Sequence, residues 1–197
     1  MSPILQGLAN GSVRGYGGFF GAAAAGAFES IASASGTGSS GTITFSSIPS
    51  TYQHLQIRGT ADSSGAGTQQ DLFITLNGVT SASYTWHQVR ATGVGVSPTG
   101  GISLTNASVY DAVTGNSAGA NVTAAIILDI HDYTSTTKNK TLRLFGGFDN
   151  NGSGQLVLHS NLFINTSAIS SISLVSGGGG NWETTTQFGL YGIKGAA

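Results

Sequence analysis

The densest group of titratable side chains is Leu128-Asp129-Ile130-His131-Asp132-Tyr133. A carboxylate two residues from an imidazole could hold a cation or move a proton. On a strand, Asp129 and His131 share one face and Asp132 takes the other. Donors split between two faces do not converge, so a strand end entering a turn at Asp132 is the expected state. Asp149-Asn150-Asn151-Gly152-Ser153-Gly154 superficially matches a calcium loop, but lacks its alternating ligands and closing Glu. A hairpin turn is expected there. Gly115-Asn116-Ser117-Ala118-Gly119 fits the Gly-x-Ser-x-Gly of a nucleophile elbow, which needs a strand before it and a helix after it. The segment from Val122 reads as a strand, so a loop is expected instead. Gly36-Thr37-Gly38-Ser39-Ser40-Gly41 lacks the lysine and the following helix of a phosphate loop. His54, His87 and His159 lie far apart, and the eight Asp and Glu are scattered. No pair of acids is set up by sequence for glycoside hydrolysis, which needs two carboxyl groups roughly 5–10 Å apart. The chain is therefore expected to be no enzyme, with no catalytic residue, no metal ligand and no cofactor.

Aromatic side chains are the other candidates. Trp86 and Trp182 fall near expected strand ends or loops. Exposed there, they could stack on the sugar rings of a host-surface glycan, with Tyr84 and Tyr110 as further stacking candidates. Packing in the core or between subunits is the competing expectation.

The elements that carry these residues read as β. Short runs of β-branched and aromatic residues alternate with polar ones, separated by Gly, Ser, Asn or Pro. Such segments are Thr42–Phe45, Tyr52–Arg58, Asp71–Asn77, Tyr84–Arg90, Thr141–Phe145, Gln155–Phe163, Ile169–Val175 and Gln187–Ile193. Val122–Ile130 is nearly continuously apolar and is expected to be a central strand buried on both faces. Asn77-Gly78 is a strong hairpin signal. No segment holds a helical period. About ten strands without helical crossovers predict an all-β fold, an antiparallel β-sandwich of jelly-roll type.

Residues 1–27 differ. The run from Gly15 to Ala25 is rich in Gly and Ala, with no period of two and no helix caps. It carries Tyr16, Phe19 and Phe20, and Ile4 and Leu5 precede it. The expected organisation is an N-terminal anchoring arm, 1–27, that orders on a neighbouring subunit, followed by a β-sandwich domain, 28–197. A disordered tail, or one folded back on its own domain, is the alternative.

Composition narrows the partners. Only 8% of the 197 residues are charged and the net charge is −1, where a typical soluble domain is about 25% charged. The seven Lys and Arg form no stripe, so nucleic acid is not expected as a partner. Low charge does little to keep copies apart, which suits a permanent assembly. The chain has no cysteine, which excludes disulfides and thiolate sites. No apolar stretch is long enough for a membrane span, and the start lacks the charged and apolar regions of a signal peptide.

One resemblance is specific. Phe28-Glu29-Ser30-Ile31-Ala32, Ile43 to Tyr52 running into Leu55-Gln56-Ile57-Arg58-Gly59, Leu76-Asn77-Gly78, Asp132-Tyr133-Thr134 and Asp149 to Gly152 are its first parts. Ser167 to Ile172 and Phe188-Gly189-Leu190-Tyr191-Gly192-Ile193-Lys194 are the most distinctive, and Ser2-Pro3-Ile4-Leu5 adds to them. Over these the chain resembles small virion structural proteins and fibre-end domains of tailed bacteriophages, cyanophages among them. The resemblance implies a β-sandwich displayed on a virion, commonly as a homotrimer, with no catalytic residues. With no long fibre or heptad stalk ahead of the module, a capsid decoration or cement protein is expected. It would be assembled in the host cytoplasm and clamp the major capsid protein through its arm. A short tail-fibre or adaptor protein, meeting host-surface glycans, is the alternative.

Overall fold

The computed structural model describes residues 26–195. The arm residues Ile4, Leu5, Tyr16, Phe19 and Phe20 lie outside them. The described residues form twelve strands: β1 (Phe28–Ser35), β2 (Thr42–Phe45), β3 (His54–Ala61), β4 (Gln69–Leu76), β5 (Tyr84–Thr92), β6 (Gly95–Leu104), β7 (Ala107–Thr114), β8 (Ala124–His131), β9 (Lys140–Asn150), β10 (Ser153–Phe163), β11 (Ile172–Ser176) and β12 (Gln187–Ile193). The sequence leads one to expect about ten. The unexpected ones are chiefly β6 and β7.

The strands make two antiparallel sheets, so the chain is an all-β sandwich. The larger has the order β1-β12-β3-β8-β9-β10-β5-β6, the smaller β2-β11-β4-β7. Eight strands, β1-β12-β3-β8 over β2-β11-β4-β7, reproduce the two interleaved Greek keys of a jelly roll. Two hairpins extend it. β5–β6 is inserted between β4 and β7, and β9–β10 between β8 and β11. Together they lengthen one sheet only.

The core is the usual alternation read twice. Ile43 and Phe45 of β2, Leu72, Ile74 and Leu76 of β4, and Ile172 and Leu174 of β11 point inward from the small sheet. Leu55 and Ile57 of β3, Leu128 and Ile130 of β8, and Leu142 and Leu144 of β9 face them from the large one. Full burial of one such side chain contributes roughly 1.5–3 kcal/mol.

Two Asn-Gly signals diverge. Asn151 (φ 55°) and Gly152 (φ 90°) make a two-residue turn in the left-handed region. It joins β9 to β10 with Asn150 opposite Ser153, as expected. Asn77 (φ 53°) and Gly78 (φ 66°) also turn, and Val79 N donates to Leu76 O at 3.0 Å. That turn closes no hairpin, because β4 pairs with β7 and β11 while β5 belongs to the other sheet. The Asn77 side chain supplies the reason. Its amide accepts from Ser170 N at 2.8 Å and donates to Ala168 O at 2.8 Å, pinning the turn to the loop before β11.

β8 requires a correction. It lies centrally, between β3 and β9, but only one of its faces is buried. Ile127 and Ala125 point away from the small sheet and are exposed.

Candidate interaction surface

The titratable cluster on β8 disperses. Asp129 accepts a 2.6 Å bond from Gln56 Nε2. Asp132 sits in a left-handed turn (φ 47°) and accepts from Lys138 Nζ at 2.9 Å. That bond outweighs a small burial effect and holds the Asp132 carboxyl below its usual range. His131 packs edge-on against His54, ring centroids 5.2 Å apart. His54 Nδ1 accepts the Asp132 backbone N–H at 3.0 Å. Among the described residues no three His, Asp or Glu are grouped as metal ligands would be. Gly115–Gly119 is a loop between β7 and β8 with no helix after it.

The aromatic stacking candidates are closed, which corrects the expectation that Trp86 and Trp182 could stack on a sugar. Trp182 is fully buried, donates Nε1 to Leu174 O at 3.1 Å and meets Phe188 edge-on. Tyr84 is buried too; its hydroxyl donates to Val79 O and accepts from Leu76 N, and its ring stacks on Phe163. Trp86 is held between Tyr110 and His159, with centroids at 5.0 and 5.2 Å. Apolar area and ring stacking outweigh exposure at all three sites.

Tyr110 alone keeps an open side, and a bulge puts it there. The register of β7 on β4 slips opposite Gln70/Leu72, and Asp111 takes φ 57°. Bulges re-aim side chains in this way. Asp111 N then donates to Asp71 Oδ1 at 2.9 Å, and burial raises the Asp71 carboxyl. The Asp111 carboxylate pairs with Arg90. Gln88 donates to Tyr110 O at 3.2 Å and accepts from Tyr110 N at 3.1 Å. Trp86, Gln88, Arg90, Ser97, Thr99 and Tyr110 line a groove of about 390 Å³ here. Its charged pair and its amide are already satisfied internally, so it is built as a clasp between β5 and β7.

Behind the groove lies a buried polar group that sequence reading missed. Asn161 Nδ2 and His159 Nδ1 are 2.7 Å apart. His159 Nε2, Asn161 Oδ1 and Trp86 Nε1 have no hydrogen-bond partner among the described residues. Burial pushes the His159 imidazole down to about 4; the nearby Ser108 backbone opposes that shift and His87 adds to it.

An apolar band runs over the outer face of the extended sheet. Strand register places Ile127, Phe145, Leu158, Val89 and Pro98 side by side across β8, β9, β10, β5 and β6. Two residues along, about 7 Å away, runs a second row, Ala125, Gly147, Leu156, Ala91 and Val96. Six of these side chains (Val89, Val96, Ile127, Phe145, Leu156 and Leu158) are 37–67% exposed. They present roughly 500 Å² of apolar surface, at the upper end for the largest patch on a monomer. The first row is a ridge. The second, with Ala125, Gly147 and Ala91 at three of its five positions, is a trough. A cleft of about 590 Å³ opens along it. Polar residues rim the band: Asp129, Arg143, Ser160 and His87 on one side, Asp149 on the other. At one end Arg58 stands beside Ile127 with its guanidinium 5.5 Å from the centre of the Phe28 ring. An apolar centre with a polar rim is the anatomy of a protein–protein interface.

The chain matches no protein-family model, no curated protein and no solved structure.

Proposed function

We propose that this protein is a non-enzymatic structural component of a bacteriophage virion, a surface module that stabilises the capsid as a decoration or cement protein. The observation that carries the reading is the apolar band. A jelly-roll body extended by two hairpins presents, among the described residues, an apolar band across five strands. Charged residues make up 8% of the chain, and that leaves little repulsion to resist close packing with neighbours. The resemblance of the β1, β2–β3 and β12 stretches to tailed-phage structural proteins points the same way. Residues 1–27 are the anchoring arm in this reading, with Tyr16, Phe19 and Phe20 gripping the major capsid protein.

Cryo-electron microscopy of purified particles tests it. Density for the sandwich repeated over the capsid lattice is the expected result. Density confined to the tail would move the module to a fibre or adaptor. Particles without the protein would overturn the structural role.

A further inference from the structure

The sequence of the extended sheet asks for two covered faces, and the described residues cover one. Ala124-Ala125-Ile126-Ile127-Leu128 in β8 and Leu156-Val157-Leu158 in β10 are continuous apolar runs. Such runs mark strands packed on both sides, whereas a strand with one wet face alternates. The small sheet, through β7, occupies the inner side, where Leu128, Leu144 and Val157 are fully buried. The outer side carries the ridge and the trough.

We propose that a second copy of this chain covers the outer face, packing sheet on sheet about a two-fold axis. The inference rests on the reading of the protein as an assembly module and names the partner at its apolar band. Three observations select a second copy. The band is its own complement at three of its five strands: Ile127, Phe145 and Val89 lie one pleat repeat from Ala125, Gly147 and Ala91, so these ridge side chains of one copy can settle over the small residues of the other. An isologous contact requires that kind of self-matching surface, and face-to-face sheets leave about 10 Å for the interlocked side chains. The band is uncharged throughout its ten positions, so no partner of opposite charge is called for. Its area also fits. The six exposed side chains supply well over half of the roughly 800 Å² that each partner gives to a standard interface, and homodimer interfaces are the more apolar kind.

Sedimentation of the full chain at micromolar concentration is the test, with Phe145→Asp and Leu158→Asp beside it. The expected mass is twice the 19.8 kDa chain for the native protein and one chain for each variant, with unchanged circular dichroism. The chain has no cysteine, so one introduced thiol gives a second measurement. Face-to-face sheets with offset ridges hold the two Leu158 positions about 12 Å apart, too far for a direct disulfide, so Leu158→Cys should be joined into a linked dimer by a bis-maleimide of about that span, while Thr44→Cys, exposed on the opposite sheet, should not. A native monomer, or a three-chain species that survives both Asp substitutions, would overturn the proposal. So would a monomer in which only removal of residues 1–25 lets Leu158→Cys crosslink, because the chain's own arm would then be the occupant. Particle attachment is scored separately. A monomer that still decorates capsids would sink the self-packing alone, and a dimer absent from particles would sink the virion role alone.

Discussion

Replacing His159 with glutamine should make the fold less sensitive to acid. His159 is 1% exposed, and burial holds its imidazole at about 4 against an ordinary 6.5. Because the folded value is depressed, the group adds no penalty above pH 6.5, where both states are neutral. As pH falls from 6.5 towards 4 the unfolded chain takes up a proton that the fold refuses, and stability is lost. At about pH 4.5 the loss from this one group works out at about 2.5 kcal/mol, from 1.36 kcal/mol per pH unit over nearly two units. For a chain of this size that is a fall in melting temperature of roughly 5–10 °C. Glu29 and Asp132 are lowered, Glu29 chiefly by its bonds to Lys194 and Tyr52, and Asp71 is raised by burial. Those carboxyls act equally on the native protein and the variant, so the difference of differences isolates His159. The assay is urea unfolding at about pH 7.5 and about pH 4.5, followed by far-ultraviolet circular dichroism. Tryptophan emission is unsuitable because Trp86 stacks on the mutated ring. The native protein should lose about 2.5 kcal/mol more than His159→Gln between the two conditions. Equal losses would refute the reasoning.

Three further substitutions probe the frame. Lys140 is fully buried, and its ammonium, lowered by that burial, donates to Ser135 O and Lys138 O at 2.7 Å and to Thr166 O at 3.1 Å. Lys140→Met strands those carbonyls and should cost about 2–4 kcal/mol by denaturant titration; a change under about 0.5 kcal/mol would count against a structural role for these three bonds. A Cβ at Gly147 would lie 2.1 Å from Gln155 O with φ at +146°, whereas one at Gly152 (φ +90°) would meet nothing within 4 Å. Gly147→Ala should therefore cost at least about 3 kcal/mol and Gly152→Ala only about 1 kcal/mol, and melting curves that reverse this order would contradict the strand geometry. Trp182→Phe keeps an edge contact with Phe188 but loses the bond to Leu174 O, so a destabilisation of about 2–4 kcal/mol is expected on the same titration, against at most about 1 kcal/mol for Tyr110→Ala.

Strands with one dry face and a regular period were legible in the sequence. Thr42–Phe45 and Gln187–Ile193 have the bounds their alternation suggests, and Asn151-Gly152 turns as its residue types require. β6 gave no period to read. It is an edge strand, exposed along nearly all of its length, and it pairs with β5 through its backbone. β7 does have a pattern, but its bulge at Asp111 shifts the period in mid-strand, so that Ala107 to Val109 and Ala112 to Thr114 are buried on both sides of the break. The aromatic candidates misled because a tryptophan near a strand end has the same sequence context whether it faces solvent or the space between sheets. His159 looked like any strand histidine, since its burial depends on β7 of the small sheet packing over β10 of the large one, a contact between segments distant in sequence.

The apolar run Val122–Ile130 was visible in the sequence and read as a strand buried on both faces, whereas the fold buries one face of β8. A continuous apolar run states that both faces of a strand are dry, and it does not say which chain dries them. Within one copy the jelly roll supplies a four-stranded cover for an eight-stranded sheet. Inserting β5–β6 and β9–β10 doubles the longer sheet without adding a strand to the shorter one. β7 spans β8, β9, β10 and β5 on the inner side, and no described element lies over Phe145 and Leu158 on the other. Had these hairpins evolved only to sit on a monomer's surface, their outer positions would be free to take Lys, Glu or Thr, as Arg143 and Thr141 do toward one end of β9. The placement of Ile, Phe, Leu and Val in a single cross-strand row, flanked by residues no larger than alanine at three of five neighbouring positions, is the pattern expected of strands whose second cover comes from outside the chain.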